Sequence, residues 1–246
     1  MQVTILGTGA AIPDGHRMQT GYLVESEEYA MLVDCGSGVF HRLAQTDVEI
    51  DELDCVLLSH LHLDHVSDLL SVLTARWLLG DDPLPVVGPS GTLELLTTLR
   101  DLFPPLDEEI TLDVREWDGG NKQFGPIAVA ATETVHSIPC YAYRVTANGG
   151  SVTLSGDTEA NDSVIEFADG SDFLVHDCAF PDEMDIANHA SPTQLGAAIA
   201  GSDIDHVLLT HLYPVTAEYE ADMCEQVGRR FEGSVSFAED LDVIDV

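Results

Sequence analysis

Basic residues are almost missing from this chain: nine Lys and Arg stand against 44 Asp and Glu, Lys122 is the single lysine, and the formal net charge is −35. Affinity for nucleic acid ordinarily comes from Lys and Arg that neutralise phosphates and release counterions, so this balance argues against a conventional nucleic-acid binder. An enzyme that reaches phosphates through metal ions escapes that objection. Long apolar runs are missing too. None approaches the ~20 residues that span a bilayer, and the amino terminus passes straight into the strand-like Val3-Thr4-Ile5-Leu6. The expectation is a soluble, unprocessed, cytoplasmic protein without membrane contact. The five cysteines are odd in number, widely spaced and never in a C-x-x-C pair, which argues against a disulfide framework or a thiolate zinc site. No linker interrupts the 246 residues, of which 45% are hydrophobic, so one domain over residues 1–246 is expected.

The acidic residues are spread among periodic apolar segments rather than gathered in a tail, which argues against disorder. A foldable chain this self-repelling suits molar salt, where the Debye length shrinks to about 3 Å. The cytosol of a halophile is the expected setting.

What the sequence has in abundance is metal-ligand chemistry in one place. Ser59-His60-Leu61-His62-Leu63-Asp64-His65 follows the apolar run Val56-Leu57-Leu58. In extended backbone, residues i and i+2 share a face, so His60 and His62 point the same way, while Asp64 and His65 fall where the chain turns and can aim elsewhere. A single ion needs only three or four ligands; a run this dense in N and O donors predicts two adjacent ions. Along the rest of the chain, Gly7-Thr8-Gly9 lacks the remainder of a dinucleotide fingerprint. Strands are predicted at 2–6, 21–24, 30–33, 53–58, 85–88, 110–114, 127–131, 151–154, 173–175, 234–237 and 241–244. Helices are predicted at 39–45, 64–79, 92–103 (closed by Pro104-Pro105), 192–200 with Ser191 as cap, and 217–231. Alternation of strands and helices implies an α/β architecture. Asp34 and Asp157 each end a strand beside glycine, where a carboxylate forms a turn or serves a metal site. His136 alone reads as a satisfied core or loop histidine more often than as a ligand. Val207-Leu208-Leu209-Thr210-His211-Leu212 echoes Val56-Leu57-Leu58-Ser59-His60-Leu61, as though two similar halves each ended a buried strand in hydroxyl-His-Leu.

His60-x-His62-x-Asp64-His65, then His136, Asp157 and His211, in that order, resembles the metallo-β-lactamase fold over almost the whole chain. The resemblance implies a four-layer αβ/βα sandwich of two mixed β-sheets flanked by helices, with the site along one edge. It assigns His60, His62 and His136 to one metal and Asp64, His65 and His211 to the other, with Asp157 bridging and Asp34 in support. Leu6-Gly7-Thr8-Gly9-Ala10-Ala11-Ile12-Pro13, His176-Asp177 and His189 resemble ribonuclease Z and its relatives within that fold. By that resemblance His189 contacts the scissile phosphate or assists the leaving group, with Asp177 beside it; these two and Asp64 are the candidate catalytic residues. Ribonuclease Z carries an arm that grips transfer RNA between the positions of His136 and Asp157, and only twenty residues separate them here. Thr210-His211-Leu212-Tyr213-Pro214 also departs from the Ser-Arg-Tyr-like sequence usual after that histidine. The sequence is therefore more similar to compact, armless relatives. Iron redox relatives have Glu where His62 stands, and thiolate β-lactamases have Cys where Asp157 stands, which disfavours both.

The implied chemistry is hydrolysis by a water bridging two divalent cations, Zn2+ or alternatively Mn2+, acting on a nucleotide or small phosphodiester. RNA stays open as a substrate, and a homodimer is compatible with the sequence. The competing readings are a carboxylic ester, thioester or lactone hydrolase, a transfer RNA 3′ endonuclease, and a non-catalytic metal-dependent binding module.

Overall fold

Short strands, the inner ones apolar and buried on both faces and the edge ones partly exposed, build two seven-stranded sheets. The computed structural model describes all residues except 81–82, 104–105, 107–108 and 185. The first half contributes β1 (Gln2–Gly7), β2 (Gly21–Ser26), β3 (Tyr29–Val33), β4 (Leu53–Leu57), β5 (Pro85–Gly88) and β6 (Asp113–Glu116) in that spatial order. The second half contributes β7 (Gly120–Phe124), β8 (Ile127–Glu133), β9 (Tyr141–Ala147), β10 (Gly150–Leu154), β11 (Phe173–Asp177), β12 (His206–Thr210) and β13 (Ser234–Phe237), again in spatial order. The last strand, β14 (Val243–Asp245), returns to pair with β1. Both sheets repeat one pattern, three antiparallel pairings followed by three parallel ones.

Alternate residues of each strand serve different layers. In β4, Cys55 and Leu57 join the core between the sheets with Val3, Tyr143 and Val152, while Val56 and Leu58 face outward into a second core. That second core lies under helices Val39–Leu43, Leu69–Leu79 and Thr92–Asp101, and a third lies beneath helices Asp162–Ala168, Pro192–Ala198 and Glu220–Gly228. Burial on both faces explains why the parallel strands read as continuous apolar runs; each fully buried Leu or Val contributes about 1.5–3 kcal/mol. The result is the expected four-layer αβ/βα sandwich. No helix among the described residues is long and apolar enough to cross a membrane.

Several elements differ from expectation. The helix predicted over 64–79 divides into Leu63–Val66 and Leu69–Leu79, because Asp68 turns its carboxylate to the N–H groups of Gly38 and Phe40 and its own N–H to the Cys35 carbonyl. The strand expected at 110–114 lies at Asp113–Glu116, since Ile110 is spent in the outer core. The helix expected over 217–231 becomes a 3-10 turn, Pro214–Glu218, and a helix, Glu220–Gly228. The predicted stop at Pro104-Pro105 lies outside the described residues. β7, β9 and helix Asp162–Ala168, capped by Asn161 Oδ1 on Val164 N–H, were not foreseen. Ser191 caps its helix as predicted, in a reciprocal pair with Gln194.

The internal echo has a different meaning from the one its sequence suggests. By pairing pattern the counterpart of β4 is β11, because each is the first strand joined in parallel to the preceding hairpin. β12, which carries the echo, occupies the place of β5. His60 and His211 therefore arrive on non-equivalent strands, and similar local needs account for the likeness. Between His136 and Asp157, β9 and β10 are joined by Asn148-Gly149 alone, both left-handed at φ +56° and +90°, the two-residue turn whose twist suits a hairpin.

Candidate metal centre

The carboxyl ends of five strands that take part in parallel pairing converge at one edge of the sandwich. Asp34 follows β3, His60 follows β4, Asp157 follows β10, Asp177 ends β11, and His211 follows β12. Asp34 and His211 sit in the left-handed region at φ +57° and +59°, each costing roughly 1–2 kcal/mol for an L-residue. Backbone bonds hold both turns: Asp34 N–H donates to Leu57 O and Leu212 N–H to Thr8 O. Such strain persists only where surroundings impose it, and it clusters at working sites.

All seven expected ligands meet here. His60 Nε2 and His136 Nε2 each lie 3.1 Å from His62 Nδ1. Nitrogens bound to a tetrahedral zinc at about 2.0–2.1 Å stand about 3.3 Å from one another, so this trio is spaced as a ligand set. Each outer nitrogen has its own partner. His60 Nδ1–H donates to Ser59 Oγ at 3.0 Å and His136 Nδ1–H to Asn188 O at 3.2 Å, while His62 Nε2 is 3.5 Å from Ser137 Oγ. These bonds fix the tautomers of His60 and His136 and aim their lone pairs inward.

Asp64, His65 and His211 form a second group, all buried. Asp34 organises it. Ser59 N–H and Oγ–H both donate to its carboxylate at 2.7 Å, and His65 Nδ1–H donates to Oδ2 at 2.8 Å. His65 Nε2 is thereby left buried without a well-formed hydrogen bond, with Asp157 Oδ1 facing it at 3.2 Å, a position that a cation would satisfy. Thr20 Oγ1 meets His211 Nδ1 at 3.2 Å.

Asp157 lies between the groups. Its Oδ2 stands 3.6 Å from His60 Nε2 and 3.7 Å from His136 Nε2, and its Oδ1 stands 3.2 Å from His65 Nε2 and 3.3 Å from His211 Nδ1. Burial disfavours its charge, yet His211, His65 and His60 hold it well below the usual carboxylate range. Burial and then His65 push His60 well below the ordinary histidine value, leaving it neutral with a free lone pair. The donor set and the buried His65 nitrogen fit divalent metal.

Beside the centre, His189 Nδ1–H donates to Asp177 Oδ2 at 2.7 Å, and the ring stacks on His211 at 5.2 Å between centroids. Asp177 is fully buried and also accepts from Thr158 N–H. Burial works against the His189 cation, but the bond and charge of Asp177 outweigh it and raise its pKa. Tyr213 and Phe180, stacked at 4.4 Å, flank this histidine.

Sequence reasoning missed several supporting groups. Thr20 reaches His211 across 191 positions, and Asn188 acts through its carbonyl, so neither leaves a side-chain pattern to read. Ser59 was legible only as a polar neighbour of His60.

Facing seven-stranded sheets with a His/Asp cluster at their shared edge define a metal-dependent hydrolase of the metallo-β-lactamase fold. The metallo-β-lactamase fold protein YhfI of Bacillus subtilis superposes with a TM-score of 0.85 at 27% identity, over 99% of each chain. The chain belongs to the family described as Anti-Pycsar protein Apyc1, whose model it matches over residues 1–222, and it is a homologue of ribonuclease Z. The ribonuclease Z of Mycobacterium avium (strain 104) is 34% identical, with 100% of this chain and 98% of that protein covered. Human tRNase Z, short form, shares the fold at a TM-score of 0.80 and 22% identity, over 100% of this chain and 99% of its own.

Proposed function

We propose that the chain is a dinuclear metal-dependent phosphodiesterase acting on a nucleotide or another small phosphodiester. The observation that carries this reading is the division of Asp157, one oxygen toward His60 and His136 and the other toward His65 and His211. His60, His62 and His136 would hold one ion; Asp64, His65 and His211 would hold the other; Asp157 would serve both. Two divalent cations so held supply Lewis acidity and lower the pKa of a bound water. Zinc suits this imidazole-rich set, and manganese accepts it.

The chain's own residues supply the rest. Asp34 and Ser59 lock His65 and His60 in one orientation. His189, whose pKa buried Asp177 raises, stands where its protonated form can neutralise a phosphodiester oxygen or give a proton to the departing oxygen. A protonated His189 beside the two cations would favour an anionic phosphodiester over a neutral carboxylic ester or lactone. Homology to ribonuclease Z supports RNA as a second reading. The twenty residues between His136 and Asp157, spent largely on the β9–β10 hairpin, support a small substrate over transfer RNA.

The test is a hydrolase screen of metal-loaded protein in molar salt. Turnover of bis(p-nitrophenyl) phosphate above that of p-nitrophenyl phosphate and of lactones is expected. Lactone or thioester turnover without diester turnover would replace the reading with carboxylic-ester hydrolysis, efficient cleavage of precursor transfer RNA would favour the endonuclease, and no turnover on any ester class would leave a metal-binding module.

A further inference from the structure

Two loops supply the groups on one side of the centre. Residues 134–140 carry His136, and residues 178–191 carry His189. They meet at Asn188, whose carbonyl accepts from His136 Nδ1–H at 3.2 Å. That bond makes the opposite ring nitrogen, 3.1 Å from His62 Nδ1, the lone-pair bearer. Asn188 is left-handed at φ +71°, a conformation asparagine tolerates better than most residues, and the residue after it is His189. One bond therefore aims a candidate metal ligand, and the next residue is the candidate acid.

The turn is held by Glu159. Asn188 N–H donates to Glu159 Oε1 at 2.9 Å, a charge-assisted bond of the stronger kind. Glu159 N–H donates in turn to Val135 O at 3.0 Å, one residue before His136. Glu159 thus grips the His189 loop with its side chain and the His136 loop with its backbone.

We infer that Glu159 is a positioning residue: its carboxylate sets the turn at Asn188, and through that turn fixes both the aim of His136 at the metal and the placement of His189. A residue touching neither metal nor substrate then couples metal affinity to the His189-dependent step. The catalytic half of this inference rests on the reading of His189 given above; the metal half does not.

The experiment compares Glu159→Ala, Glu159→Gln, His189→Ala and the Glu159→Ala/His189→Ala double variant. It reads zinc affinity by chelator competition, kcat and KM on bis(p-nitrophenyl) phosphate, and thermal unfolding as a check of folding. Glu159→Ala is expected to weaken zinc binding several-fold, with the about 10- to 100-fold effect of losing an outer partner of a ligand outright as the ceiling, and to lower kcat more than it raises KM. Glu159→Gln retains an acceptor oxygen and should recover most of both losses. At saturating zinc, where the metal sites are filled, the double variant should lose no more kcat than His189→Ala alone, since residues acting through one another are not additive. Unchanged zinc affinity in folded Glu159→Ala protein, or additive kcat losses in the double variant at saturating zinc, would overturn the inference. If the alanine variant does not fold, Glu159→Asp replaces it; retaining the charge with a reach shorter by one methylene, it is judged by the same outcomes. Wild-type protein inert on the diester would sink the phosphodiesterase reading and leave the zinc measurement as the test of Glu159.

Discussion

At the scale of single residues, Asp157 is the group whose loss should separate one metal site from two. Each of its oxygens faces a different set of histidines, so on the proposed reading Asp157→Ala would remove a ligand from both and should abolish turnover while lowering metal content by mass spectrometry. A variant keeping metal and activity would rule out bridging. His189 sits differently, because its Nδ1 is spent on Asp177. His189→Ala should therefore cut diester turnover and leave metal content intact; loss of metal instead would make it a ligand, a role its nearness to Asp157 and His211 permits. The Asp177 bond also sets a pH dependence. Burial opposes protonation of His189, Asp177 overcomes it, and the folded pKa is raised above 6.5. The paired cation is complete below that ordinary value and is lost as pH rises through the raised one. In Asp177→Asn, the alkaline limb of the kcat profile should move to lower pH; an unmoved limb would separate it from His189. What could be read in advance at this scale were donors carrying their own chemistry at strand ends, His60 to His65, Asp157 and His211, while His136 joined them only through the family resemblance. Thr20, Asn188 and Glu159 work through partners far along the chain or through main-chain atoms, and no local pattern announces them.

At the scale of elements, the site depends on how closely the end of β3 approaches the helix Leu63–Val66. Gly36 lies at that crossing. A Cβ there would stand 2.1 Å from Asp64 O and 2.7 Å from Gln19 Cβ, far inside contact distance, and the obstacle is backbone that cannot rotate away. Gly36→Ala should thus cost at least the roughly 1–3 kcal/mol of ordinary overpacking and push Asp64 and His65 out of register, which thermal unfolding and metal analysis would both detect. A variant with native Tm and full metal would show that the loop yields freely. The same crossing explains how far elements were legible. β4 and the stripe of helix Leu69–Leu79 were evident because apolar residues recur at the period of their own element. The break at Ser67-Asp68 was not, since Asp68 leaves the helical pattern to bind amides of another segment. β7 escaped because its residues, Gly120 to Phe124, are mostly polar and mostly exposed at a sheet edge, with little apolar periodicity to show. The echo between β4 and β12 was real as sequence and misleading as topology: buried parallel strands ending in a histidine draw on the same few residues wherever they stand.

At the scale of the whole molecule, the sandwich carries a formal charge of −35, and among the described residues the buried carboxylates are Asp34, Asp64, Asp157 and Asp177 at the metal centre, the other acidic residues lying nearer the surface. Repulsion among surface carboxylates is therefore long-ranged and nearly uncompensated. Among the described ion pairs, several of the arginines are already committed: Arg17 to Asp14 and Glu220, Arg42 to Asp240, and Arg115 to Asp113. At about 0.1 M salt the Debye length is about 10 Å, comparable to the spacing of surface side chains, and at about 1 M it falls to about 3 Å, so neighbouring carboxylates cease to sense one another. The folded state gains more from that screening than the expanded chain, whose charges stand farther apart. Tm in molar KCl should then exceed Tm in dilute buffer by many degrees, with the rise persisting above the range where a protein of balanced charge levels off. Sucrose, which is excluded from the surface without screening charge, separates the two causes. An equal gain in sucrose would attribute the stabilisation to surface exclusion, and a Tm indifferent to KCl would mean that the acidic surface is tolerated by the fold in dilute buffer and owes nothing to salt.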